Sequence, residues 1–151
     1  MRTLVLGLGN AILSDDGVGI KVAHEVGKNL SDPQIIVSET NEAGLSLLDS
    51  IVGYDRVIII DAIQTDNGRV GQIYRMGTAD FSLTKRFSSP HQINLVTALE
   101  LGKMLGLPMP QEITIFAVEA EDITTFSEKC TPKVVQAIPK VVKMVLEDLF
   151  G

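Results

Sequence analysis

Arg56-Val57-Ile58-Ile59-Ile60 is the stretch that decides the fold. Four β-branched apolar residues follow one another without a polar alternate, which suits a strand covered on both faces. Glu112 to Val118 (EITIFAV) has the same character, and so does Thr3 to Leu8, which Gly7, Gly9 and Asn10 bring to a stop. Gln34 to Ser38 reads as a shorter strand and Val70 to Arg75 as another, at an edge. Between these runs the apolar spacing changes to that of helices. One helix starts near Asp15 and carries Val18, Val22 and Val26, with Ala23 and Leu30 beside them. A second covers Ala43 to Val52, with Leu45, Leu48 and Val52 on one side. A third, capped by Ser89 with Pro90 at its first position, runs to about Leu105. The last follows the same cap-plus-proline start at Thr131 and Pro132, with Val134, Ile138, Val141, Val142, Val145 and Leu149 as one stripe. Pro139 lies inside that stripe and should kink the helix. Thr78 to Ser88 reads as an irregular loop, and Glu119 to Cys130 as a polar one. This order of elements predicts an α/β fold: a three-layer α/β/α sandwich around a mostly parallel central sheet of about five strands.

The 151 residues fit one domain, taken as 1–151. A hydrophobic share of 45% is enough for a core and argues against disorder. The net charge of -6 repels phosphate backbones, so nucleic acid is not an expected partner. Cys130 is the lone cysteine, which excludes an internal disulfide and suits a reducing compartment. No apolar run approaches the roughly 20 residues of a membrane span, and no signal peptide is evident. The expected location is cytoplasmic.

In parallel α/β sheets, chemistry gathers beyond the carboxyl ends of the strands. Three polar sites fall there. The first is Gly7-Leu8-Gly9-Asn10 followed by Asp15-Asp16-Gly17-Val18-Gly19; the second is Asp61, directly after the strand Arg56–Ile60; the third is His91, at the start of the helix after Ser89-Pro90. Each has a plain structural alternative. Asp15 or Asp16 can cap a helix, Asp61 can close an Asx turn, and a lone helix-start histidine is more often structural. Together, two carboxylates and an imidazole make a donor set suited to Ni²⁺ or Zn²⁺ with coordination positions left open. A positive helix start also disfavours the charged imidazole and keeps His91 able to ligate. Metal affinity is then expected to fall below roughly pH 6, near the reference histidine value.

Rival motifs fail. A dinucleotide fingerprint begun by Gly7-Leu8-Gly9 would place its third glycine at Ile12, and Asp15 and Asp16 would repel a pyrophosphate, although Glu39 stands where a ribose-binding acid belongs. His24-Glu25 begins a zinc-protease signature that Lys28 breaks. No Gly-x-Ser-x-Gly occurs, and nothing pairs Cys130 with a base.

The motifs Gly7-Leu8-Gly9-Asn10, Asp15-Asp16-Gly17-Val18-Gly19, Ile60-Asp61-Ala62 and Ser89-Pro90-His91-Gln92, with Ala43-Gly44-Leu45 between them, resemble those of the hydrogenase maturation endopeptidases. The resemblance runs over nearly the whole chain. It implies an α/β/α fold with a twisted sheet. It also implies an endopeptidase that removes the C-terminal extension of a nickel–iron hydrogenase large-subunit precursor after nickel insertion. Carried over by position, it makes Asp16, Asp61 and His91 the metal-contacting and catalytic residues. The Ni²⁺ would be supplied by the precursor, with Zn²⁺ or another divalent ion able to take its place in isolation. The partner implied is that precursor. Two departures stand out. Many members have Glu at the position of Asp16, and a common Gly-Gly-Thr segment reads Thr40-Asn41-Glu42 here, where Glu42 adds a fourth acid. The alternatives are a non-catalytic, metal-dependent escort of the precursor and a zinc-dependent small-molecule hydrolase.

Overall fold

The computed structural model describes residues 1–41, 45–77 and 90–151, with backbone only for 45–46 and 90–96. Strands β1 (Thr3–Leu8), β2 (Ile35–Thr40), β3 (Arg56–Ile63), β4 (Ile73–Gly77) and β5 (Glu112–Glu119) form one sheet in the order β2-β1-β3-β5-β4. The first four neighbours in that order are parallel, and β4 runs antiparallel along β5. The expected mostly parallel sheet of about five strands is what forms, with β4 as its antiparallel member. The run read from Gln34 to Ser38 ends later, at Thr40, and the edge strand sits about three residues beyond its expected start.

Helices cover both faces. On one side, Val18, Val22 and Val26 of α1 (Val18–Lys28) and Val134, Val141 and Val145 of α4 (Pro132–Phe150) pack on Val5, Ile58, Ile60, Phe116 and Val118. On the other, Leu47 and Ile51 of α2 (Leu45–Ile51) and Leu99 of α3 (Pro90–Met104) pack on Leu4, Leu6, Val57, Ile59, Ile113 and Ile115. The unbroken apolar reading of β3 and β5 has this cause: odd and even positions both meet a helix layer.

Three local expectations are corrected. The helix expected at Asp15 begins as a 3-10 turn over Ser14–Gly17, and α1 proper starts at Val18. Asp61 does not follow its strand but lies within it, because β3 continues to Ile63. Likewise Glu119 belongs to β5 and not to the loop. α4 runs as one helix from Pro132 to Phe150, with Pro139 on its exposed side, where solvent can reach the Val135 carbonyl that loses its N–H partner. Among the described residues no helix is long and apolar enough to cross a membrane. Thr78 to Ser88, Ser89, Glu42 and the first two residues of the expected helix Ala43–Val52 lie outside the described residues.

Candidate active site at the carboxyl end of the sheet

The sheet reverses its strand order at β1 and β3, the place where such sheets bind ligands. Glycines close this junction. Gly7 of β1 faces α1, and a Cβ on it would stand 2.5 Å from the Gly19 carbonyl oxygen. A Cβ on Gly19 would overlap the carbonyl oxygen of Ile60, the residue before Asp61, and come within 2.6 Å of that of Leu8. A Cβ on Gly9, whose φ is +137°, would overlap the Asp16 carbonyl oxygen. The glycines singled out in the sequence therefore let the turn carrying Asp16 sit on the ends of β1 and β3. That turn packs against β3 itself.

Asp16 is half-buried. Its Oδ2 accepts the Asn10 N–H at 2.9 Å, which ties the acid to the end of β1. Asp61 is 1% exposed, and its Oδ1 accepts the Ala62 N–H at 2.8 Å. Strand alternation turns Asp61 to the side of Ile59 and Ile63, the face covered by α2 and α3. Asp16 and Asp61 are thus brought to the same end of the sheet.

His91 is the second residue of α3. The last turn of α3 and the segment after it are fixed at the opposite end, where Gly53 N–H donates to Pro108 O at 3.0 Å and Gln111 N–H to Asp55 O at 3.0 Å. A helix of 15 residues spans about 22 Å, so its backbone start lies towards the carboxyl end. The His91 side chain lies outside the described residues. Among the described residues no three His, Cys, Asp or Glu side chains gather as a metal set.

Asp15, left open beside Asp16 in the sequence, is fully buried and has another task. Its Oδ1 accepts Thr131 N–H at 2.7 Å, and its Oδ2 accepts the N–H groups of Glu121 and Asp122 and the Thr131 hydroxyl at 2.7 Å. Asp15 does serve a helix start, that of α4, which is distant in sequence. The Thr131 hydroxyl consequently makes no cap of its own. Glu119 is the acid that sequence reasoning passed over. It is 3% exposed and accepts from Thr65 N–H at 2.8 Å, the Thr65 hydroxyl at 2.6 Å and the Tyr74 hydroxyl at 2.9 Å. Its signal was the one that marked Asp61: an acid closing an apolar strand. Cys130 is buried, its thiol donating to Ser14 O at 3.7 Å, and burial pushes its pKa up, which disfavours the thiolate a nucleophile needs.

The chain matches the family model described as hydrogenase maturation protease over residues 20–148. It is 28% identical over 151 residues to the hydrogenase 2 maturation protease of Escherichia coli K12, covering 99% of this chain and 91% of that one. It is 26% identical over 136 residues to the hydrogenase expression/formation protein HupD of Bradyrhizobium diazoefficiens, covering 88% and 70%. Among solved structures, the hydrogenase maturating endopeptidase HybD from E. coli superposes with a TM-score of 0.86 at 27% identity, over 99% of this chain and 92% of that one. The NiFe hydrogenase maturation protease HybD from Thermococcus kodakarensis shares the fold, with a TM-score of 0.77 at 23% identity over 97% and 98%.

Proposed function

We propose, for a chain that belongs to the hydrogenase maturation protease family, that it cuts the C-terminal extension from a nickel–iron hydrogenase large-subunit precursor once nickel is in place. Asp16, Asp61 and His91 would engage the nickel carried by that precursor. The observation that carries this reading is the junction of β1, β3 and α1. There Gly19 rests on the Ile60 carbonyl, so that Asp16 and Asp61 share one end of the sheet.

Two carboxylates and an imidazole suit a borderline divalent ion without demanding all its positions. Nickel gripped in this way would hold the scissile peptide beside the acids, and this positioning is itself a large part of the rate. Asp16 is half-exposed and keeps an oxygen beyond the one bonded to Asn10 N–H, so it is the better placed of the two to take a proton from an attacking water. Asp61, buried and fastened to the next residue's N–H, is the better placed to orient. Cys130 is not a nucleophile in this scheme.

The test is cleavage of nickel-loaded and nickel-free precursor, followed by intact mass. The expected result is loss of a C-terminal peptide from the loaded form alone. Asp61→Ala should reduce processing by more than about 100-fold, beyond what loss of an outer-shell partner costs. Equal cleavage of both precursors would remove nickel from the recognition step. Complex formation without a mass change would turn the reading into that of an escort.

A further inference from the structure

Beside Asp16, two loops come together through an isolated parallel bridge between Leu13 and Ser127. Ser127 N–H donates to Ile12 O at 2.9 Å, and Ser14 N–H donates to Ser127 O at 2.9 Å. Ile12 and Phe126 each stand one residue before the bridged pair, and the Ser127 N–H bond to the Ile12 carbonyl joins the two peptide groups that follow their Cα atoms. Both face water: Ile12 is 49% exposed and Phe126 82%. We propose that this pair is an apolar seat for the precursor segment flanking the scissile bond, and that it governs which precursors are taken. The proposal rests on the functional reading above and deepens it.

The seat is built rather than incidental. Asn10 Oδ1 accepts the Ile12 N–H at 3.1 Å. Just before Phe126, Asp122 Oδ1 accepts the N–H groups of Thr124 at 3.0 Å and Thr125 at 2.9 Å. Ser14 holds a left-handed φ of 50°, unfavourable for a residue with a side chain, with its hydroxyl donating to Lys129 O at 3.1 Å. Backbone pinned in this way needs no further ordering when a segment docks, which removes one of the costs of binding.

The seat is also continuous with the candidate site. Asp16 N–H donates to Leu13 O at 3.0 Å, and Asp16 Oδ2 accepts from Asn10, the residue that holds Ile12. One turn therefore presents both the acid and the apolar contact. A phenylalanine side chain offers about 150–250 Å², and with a half-exposed Ile12 beside it the patch stays well short of the roughly 800 Å² per partner of a stable protein interface. A second copy of this chain is not held by so small a patch, whereas an extended segment already tethered by nickel needs no more. Its occupant is an apolar side chain of the precursor within a few residues of the cut.

The decisive experiment measures steady-state cleavage of nickel-loaded precursor by the full chain carrying Phe126→Ala, Ile12→Ala or both. Phe126→Ala is expected to raise KM about 30-fold, as loss of a binding hot spot does, with kcat within threefold and an unchanged melting temperature. Phe126→Leu should recover most of the KM, and Phe126→Ser none. An unchanged KM, or a loss confined to kcat, overturns the seat while wild-type cleavage leaves the functional reading intact. Rapid-mixing binding of nickel-loaded precursor to the otherwise wild-type chain, with and without Phe126→Ala and read before turnover, decides the matter independently of cleavage. Wild-type failure to cleave overturns the functional reading alone, and an affinity indifferent to Phe126 overturns the seat alone.

Discussion

A carboxylate taken wholly out of water must be hydrogen-bonded at nearly every lone pair or it unfolds the structure around it. Asp15 meets that demand with three backbone N–H groups and the Thr131 hydroxyl. Asp15→Ala should cost about 3–5 kcal/mol, since it strands those donors in the interior, and lower the melting temperature by about 10 °C for a chain of this size. Asp16→Ala removes one bond, from Asn10 N–H, at a half-exposed site. It should cost about 1 kcal/mol while abolishing processing. Thermal melts paired with the cleavage assay separate the two acids; a stable Asp15→Ala protein would refute the clamp. Nothing local in the sequence distinguishes these neighbours. The partners of Asp15 lie more than a hundred positions away, at Glu121, Asp122 and Thr131. The Cys130 thiol is buried with a raised pKa, so alkylation of the folded chain should be slow, and Cys130→Ser should process precursor within threefold of wild type. Rapid modification with loss of activity would reopen the thiol as a nucleophile.

Elements were legible where burial is symmetrical. β1, β3 and β5 stand at or near the centre of the sheet, so a helix layer covers each side and leaves a continuous apolar run. Their starts at Thr3, Arg56 and Glu112 came directly from that run. The end of β1 at Leu8 came from it too, but the ends of β3 and β5 did not, because a strand may carry an acid past the core without breaking its ladder. Asp61 pairs with Ala117, and Glu119 with Ile63, inside the parallel ladder. Among the described residues the edge strand β4 pairs only with β5 and so lacks the strong pattern, which explains its displaced start. The glycines were visible as a motif, but the contact they permit was not, because it joins three elements. Gly19→Ala tests that contact. Its Cβ would overlap the Ile60 carbonyl and press on that of Leu8, and backbone does not yield as a side-chain end does. We expect a loss of about 3 kcal/mol or more, as for overpacking, and poor processing by whatever still folds. A Gly19→Ala chain with wild-type melting and cleavage would show that α1 can move off β3 freely, against the geometry from which the site is argued.

For the molecule as a whole, three groups with displaced pKa values among the described residues contribute to the two limbs of its stability curve. Asp122 is held at about 2, from an ordinary 3.8, first by the Thr125 hydroxyl and then by the Thr125 and Thr124 N–H groups. The folded chain therefore binds this proton more weakly than the unfolded chain does. The contribution of Asp122 is complete above about pH 4 and drains away as the pH falls through about 2. Cys130 is displaced upward from 9.0, chiefly by burial and further by the charge of Asp15, with Lys21 opposing. Tyr74 is displaced upward from 10.0, first by burial and then by its bond to Glu119. For these two the sign reverses: above their ordinary values the unfolded chain releases protons that the folded chain retains, and stability declines as the pH rises. In chemical denaturation across pH these three groups should accordingly add no slope between about pH 4 and about pH 9, and a fall on either side. Cys130→Ser should flatten the first part of the alkaline fall, because Cys130 has the lower starting value of the pair. Asp122→Asn should flatten the acid one. An alkaline limb identical in Cys130→Ser would mean that the thiol ionises inside the fold as readily as outside it, which its packing against Ser14 and Asp15 argues against.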